Sequence, residues 1–265
     1  MVIICRYGEI FLKGLNKRTF ENALVQSINR RLSKHNLTST IKILRNRILV
    51  ENDAAYPYLQ PTFGLTSISK AEPVEFDLPI IIETAIRMLS ETKLTTFKVH
   101  TQRITKTSPW DSVTLSGTVG AAIQEHYNST VKLDNPNTTL GIEIINDTAY
   151  IYAERTSCPG GLPENVSGSV IVNSSDKYAE CAALLMLKRG CFVTFTESKS
   201  FPLFAQFATA SSKAPHLATV RGTLDIEQPI NSLPELYPLI GMTEDDVKEK
   251  MRKFQSFVNV GNKIE

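Results

Sequence analysis

Hydrophobic residues recur along this chain with two periods, and the switches between them mark its elements. Val2 to Ile10 is an apolar run of strand length, and from Lys17 to about His35 the residues Phe20, Leu24, Ile28 and Leu32 fall at i, i+4, i+8 and i+12. That spacing predicts a helix with one apolar stripe, with Asn16 as its cap. "STIKILRN" and "RILVEND" alternate like two strands turned near Asn46, "AAYPYLQPTFG" gives a short helical piece interrupted by proline, and "SISKAEPVEF" returns to strand. The predicted order is βαββαβ, the split unit of ferredoxin-like folds.

Pro79 opens a second periodic run to about Glu91, with Ile82, Ala85, Ile86 and Leu89 on one side. A strand "TFKVHTQRI", a loop "KTSPW" and a helix "SVTLSGTVGAAIQEHY" follow. "TVKLDNPNTTLGIEIINDTAYIYAER" then predicts three short strands, the last two joined through Asn146-Asp147. "TSCPGGLPENVSG" breaks the pattern. Beyond it, strand Val170 to Val172, helix Tyr178 to Arg189 and strand "CFVTFTES" predict a small parallel α/β unit. "YPLIGM" reads as a buried strand plus turn, and Thr243 with Asp246 has the form of a cap on a final helix.

Composition adds limits. The chain has 265 residues, 42% hydrophobic and 21% charged, as globular proteins do. Charge appears by Arg6 and no apolar run approaches eighteen residues, so the expectation is a soluble cytoplasmic protein with no membrane partner. Four cysteines form no CxxC pair and four histidines are scattered, so no metal spacing appears. Net charge is +2, but residues 1–50 hold ten bases against two acids, which makes that segment +8 and the remainder −6. Such asymmetry suits a polyanion partner, nucleic acid above all, or marks a solvated basic helix face.

Six fragments carry more than pattern: "RYGEIFLKGLNKRTFE" from Arg6, "FKVHTQRITKTSP" from Phe97, "VKLDNPN" from Val131, "GGLP" from Gly160, "LMLKRG" from Leu185 and "YPLIGM" from Tyr237. In this order they resemble the tRNA 4-thiouridine synthetases, the ThiI-type thiamine-biosynthesis sulfurtransferases. The resemblance implies an N-terminal ferredoxin-like domain over 1–76, a THUMP RNA-binding domain over 77–163 and a small Rossmann-like α/β PP-loop pyrophosphatase-like domain over 164–265. Members of that family use ATP to adenylate a uridine in tRNA, and a cysteine persulfide delivers sulfur, which also feeds thiazole synthesis.

Where the family carries an SGGxDS loop before "LMMKRG", counting back from the helix gives Ser174, Ser175, Asp176, Lys177, Tyr178 and Ala179. Only the first serine matches, and a one-residue shift also loses both glycines. Those glycines let backbone approach a pyrophosphate and offer amides to it. A carboxylate at Asp176, about 5 Å from a phosphate charge, would repel it by about 3 kcal/mol at an effective dielectric near 20. Lys177 could offset this by turning inward, or lie in solvent. The family's second nucleotide element survives only as Val220 and Gly222 in "VRGTLDIEQPINSLPE", and no cysteine follows "YPLIGM". Cys158, in the Pro/Gly linker, is the one cysteine expected to be exposed.

The RNA-facing half keeps its residues. "LKGLNKR" places Lys13, Lys17 and Arg18 at a helix start as phosphate ligands. Arg103 and Lys106 follow the family's "R..K..P" pattern, although Arg103 could instead pair with Asp111 or Glu143 to fix the domain. Trp110 is a stacking or a packing residue. The expected function is therefore tRNA binding without a nucleotide cofactor, with catalysis, if any, completed by a separate sulfur donor or catalytic subunit. The alternative is an active ATP- and Mg-dependent tRNA sulfurtransferase with an atypical loop. Members of the family are often dimers, and a homodimer is an open possibility.

Overall fold

The computed structural model describes all residues except 106–109, 211–213, 229 and 259–265, together with all side chains of the other residues save those of 11–13. Strand β1 (Val2–Tyr7) leads through a 3-10 segment (Glu9–Asn16) into α1 (Lys17–Lys34). The hairpin β2 (Ile41–Leu44) and β3 (Arg47–Val50), the single turn α2 (Tyr56–Leu59) and β4 (Leu65–Glu75) complete the predicted βαββαβ order. Next come α3 (Leu78–Leu89), β5 (Thr96–Arg103), α4 (Ser112–Tyr127), β6 (Thr130–Val131), β7 (Thr138–Ile145), β8 (Thr148–Tyr152) and β9 (Thr156–Ser157). The last segment holds β10 (Ser169–Val172), α5 (Ala179–Lys188), β11 (Phe192–Phe195), α6 (Pro202–Phe207), β12 (Ala218–Val220), β13 (Glu235–Leu236) and α7 (Glu244–Ser256). The class is mixed α/β, as the periodicity predicts.

Contacts group these elements into two compact units that interleave along the chain: 1–5, 40–56 and 68–156 in one, 6–39, 57–67 and 157–265 in the other. The first is built on a sheet of order β2-β3-β1-β4-β8-β7-β5-β6, with β9 beside β4. Asn46 and Asn146 turn its two hairpins at φ of 57° and 54°, left-handed values that asparagine tolerates. One face carries α3 and α4, whose Ile81, Ala85, Leu89, Leu115, Val119 and Ile123 pack on Phe97, Leu140, Ile142 and Ile144. On the other face, cluster Ile4, Leu49, Ala71 and Tyr150. Caps are local: Asp77 accepts from the Ile80 amide, and Asp111 from those of Val113 and Thr114.

The second unit carries four parallel strands in the order β11-β10-β12-β13. Its core gathers Val170, Val172, Leu184, Val220 and Val247 around Phe63, Phe207 and Phe254, whose ring centroids lie 5.1–6.1 Å apart. "GGLP" and "LMLKRG" meet here, because the Leu162 amide donates to the Lys188 carbonyl at 2.9 Å. Gly161, at φ +77°, would place a Cβ 2.3 Å from that same carbonyl oxygen, so only glycine fits.

Three local expectations fail. Asn16 makes no side-chain cap: its φ and ψ are already helical, because α1 grows directly out of the 3-10 segment, leaving no extended residue from which to reach back. "YPLIGM" is a turn, since the strand ends one residue earlier at Leu236 and only Leu239 of the hexapeptide is fully buried. Cys158 is buried, as are Cys5, Cys181 and Cys191; the Cys158 amide donates to the Thr66 carbonyl, which seats the linker against β4.

Candidate nucleotide loop and nucleic-acid contacts

The stretch between β10 and α5 has strand, turn and helix where a phosphate loop needs them. Its turn is closed by its own side chains. Ser174 is fully buried; its hydroxyl receives the Glu197 amide at 3.0 Å and its amide donates to the Thr196 hydroxyl at 3.1 Å. These bonds tie the turn to the end of β11. Ser175 is exposed, with its amide 3.5 Å from the Asn173 Oδ1.

Asp176 points inward. Its Oδ2 accepts from the Gly222 amide at 2.7 Å and from Arg221 Nε at 3.0 Å, and its Oδ1 accepts from Asn173 Nδ2 at 2.5 Å and Arg221 Nη2 at 3.4 Å. The Asp176 and Arg221 side chains are 5% and 4% exposed, so this is a buried ion pair with its lone pairs satisfied. Arg221 also contacts Glu227 and Glu235, and hydrogen bonding to Asp176, ahead of the neighbouring carboxylates, holds its guanidinium above the ordinary value. Gly222 is held close because a Cβ there would lie 2.6 Å from the Ala179 amide nitrogen. The end of β12 thus packs directly on the start of α5.

Lys177 turns outward. Its ammonium pairs with the exposed Glu244 at 2.6 Å, and that hydrogen bond raises its pKa while lowering the carboxyl's. The cavity beside the loop, lined by Asp176, Tyr178, Glu180, Lys199, Phe201 and Met251 among others, has a volume of about 230 Å³. That is below the usual size of small-ligand pockets, about 300–1,000 Å³. Burial raises the Cys181 thiol to about 11 and shifts Cys191 upward too, so neither is primed as a thiolate at neutral pH.

The expected phosphate ligands divide between the units. Lys17 and Arg18 open α1 in the second unit; Arg18 is exposed, while Lys17 lies 3.5 Å from Glu21, whose carboxylate also accepts from the Tyr7 hydroxyl. Arg103 ends β5 in the first unit. The acids that could have fixed it are engaged elsewhere: Glu143 holds Arg47 at 2.6 Å and Asp111 caps α4. Arg103 Nε meets no acceptor among the described residues. Trp110 packs at the margin of the α3/α4 core. The Lys13 side chain and Lys106 lie outside the described residues. Among the described residues, no group of acids, histidines and cysteines could hold a metal, and no helix is long and apolar enough to cross a membrane.

Sequence reasoning singled out Val220 and Gly222 but passed over Arg221 between them. Its only signal was a lone arginine at a strand end beside an unexplained loop aspartate 45 residues away.

Comparison with known proteins agrees with this architecture. Residues 2–69 match the ThiI ferredoxin-like domain and residues 76–154 the THUMP domain. A probable tRNA sulfurtransferase of Methanocaldococcus jannaschii is 35% identical over 205 residues, covering 72% of this chain and 54% of the relative; one from Thermoanaerobacter sp. is 33% identical, covering 71% and 51%. The chain thus spans about half the length of the sulfurtransferases it matches. Among solved structures, PH1313 from Pyrococcus horikoshii superposes with a TM-score of 0.84 at 27% identity over 96% of this chain and 99% of that one. A 4-thiouridine synthetase, solved as an RNA complex with bound ATP, shares the fold at a TM-score of 0.77 and 20% identity, covering 98% and 86%. By its two matched domains and these relatives, the chain belongs to the ThiI family of tRNA sulfurtransferase-related proteins.

Proposed function

We propose that this protein binds tRNA through its ferredoxin-like and THUMP segments and holds no ATP at the loop between β10 and α5. The observation that carries the second half is the buried Asp176 carboxylate, which fills the turn with a negative charge and takes up the donors beside it, the Gly222 amide and the Arg221 guanidinium. A phosphate arriving there meets a saturated arginine and a negative charge, without glycine amides to offset either. ATP therefore does not fit the residues present. Lys17, Arg18 and Arg103, with Lys13 and Lys106, are the phosphate ligands of this reading, supported by the +8 charge of residues 1–50 and by the domains matched. Any sulfur transfer to the bound tRNA then depends on a separate sulfur donor or catalytic subunit.

Two titrations test the reading. Calorimetry with ATP and Mg should give no saturable heat, and thermal denaturation should show no shift at millimolar nucleotide. Fluorescence anisotropy with unmodified tRNA should give binding that weakens steeply with salt. Saturable ATP binding would return the chain to the active sulfurtransferases, and tRNA binding no stronger than that of an acidic control protein would end the RNA reading.

A further inference from the structure

A cavity at the end of α1 plays no part in the loop chemistry. The last turn of α1 brings Arg31, Lys34 and His35 against α2, where the His35 and Tyr58 rings stack with centroids 3.9 Å apart and planes inclined by 22°. With Pro57, Pro61, Ala205, Gln206 and Val258 they line a cavity of about 360 Å³ within the second unit. That is large enough for one small ligand.

The cations here are hydrogen-bonded but not neutralised. Arg31 is 3% exposed and gives its hydrogen bonds to the carbonyls of Gln206, Phe207 and Pro61, while its Nε meets no acceptor among the described residues. Lys34 donates to the Ala205 carbonyl at 3.0 Å. Capping α6 in this way uses up donors and leaves two full positive charges, against which the C-termini of α1 and α6 set at most about half a charge each. The carboxylate acting on Arg31 is Glu164, already bonded to the Thr209 and Ala210 amides. Burial lowers the Arg31 pKa to about 10, and burial followed by the Arg31 and Lys34 charges lowers that of His35. Glu164 thus offsets part of the Arg31 charge without forming an ion pair with it, and among the described residues no acid pairs with Lys34, so an anion in the pocket would balance charge that is otherwise costly to bury.

We infer that this pocket takes one unstacked nucleotide, its base against the Tyr58–His35 pair and its phosphate toward Lys34 and Arg31. The inference rests on the RNA reading above for its source, an unpaired nucleotide of the bound tRNA; a free nucleoside monophosphate offers the same chemistry.

The test uses the full chain, with AMP and tRNA as separate probes. Tyr58→Ala should weaken tRNA binding about tenfold, Tyr58→Phe should restore it because phenylalanine also stacks, and Lys34→Glu should weaken it about as much as Tyr58→Ala. In the wild type, AMP should shift the His35 ring resonances saturably and raise their titration midpoint, since a phosphate favours the charged ring. Unchanged tRNA affinity in Tyr58→Ala and Lys34→Glu, with His35 unmoved by AMP, overturns the site. A His35 response to AMP with unchanged tRNA affinity overturns the RNA source alone. Failure of the wild type to bind any tRNA overturns the RNA reading, and the AMP titration then decides the pocket by itself. Circular dichroism of each variant separates these results from loss of fold.

Discussion

Arg47 and Arg221 each sit almost fully buried against a carboxylate, and the two pairs do different work. Arg47 bonds Glu143, which is 0% exposed, and reaches Gln102 at 3.0 Å, so it binds β3 to β7 and β5 across the first unit. Removing one member of such a pair strands the other charge in low dielectric, and Arg47→Leu should lower the unfolding free energy by about 3 kcal/mol in urea titration. Asp176→Ala should cost less, because Glu227 and Glu235 still compensate Arg221; a loss as large as that of Arg47→Leu would contradict that compensation. The Cys181 thiol gives a pH-dependent readout. Its folded pKa, about 11, lies above the ordinary 9, so its contribution to stability is full below pH 9 and is lost as pH rises through 11. Iodoacetamide should leave all four cysteines unmodified in the native protein at pH 8, and labelling of Cys158 there would contradict its burial. At this scale the sequence showed which residue stood in the loop but not its direction, since the partner of Asp176 lies 45 residues away and no local pattern encodes that pairing.

Elements depend on shorter-range information, and more of them could be read from sequence. Alternation and 3.6-residue spacing located β1 to β5, α1, α3, α4 and the β7–β8 hairpin, because each buries one continuous face whose period appears directly in the residues. Of the two-residue strands, β6 opens the run that predicts three short strands, but β9 and β13 were illegible: pairs such as Thr156–Ser157 carry no period and exist only through pairing with a neighbour already formed. The capping box of α7 was visible, and the structure shows both halves, with the Asp246 amide donating to the Thr243 hydroxyl and the Thr243 amide to the Asp246 carboxylate. Thr243→Ala should therefore cost about 1 kcal/mol by denaturant titration. Gly222→Ala should cost more, because the new methyl meets backbone of Tyr178 and Ala179 that has no side-chain freedom to yield.

Across the whole molecule, charge placement carries the functional reading furthest. A net charge of +2 hides +8 in the first fifty residues, where Lys17 and Arg18 lie, while Arg103 belongs to the other unit. Phosphate contacts release condensed counterions, so their number can be counted from salt dependence without knowing the RNA sequence. About five contacts predict that log K for tRNA falls against log salt with a slope of about −4, a loss of a hundredfold or more between low and moderate salt. Lys17→Glu with Arg18→Glu should flatten that slope by about two, and Arg103→Glu by about one. If the losses from the two groups add in the triple variant, one RNA engages both units at once. If Arg103→Glu leaves slope and affinity unchanged while the α1 variant abolishes binding, the ferredoxin-like segment alone carries the contact, and Arg103 at the end of β5 must be given another role.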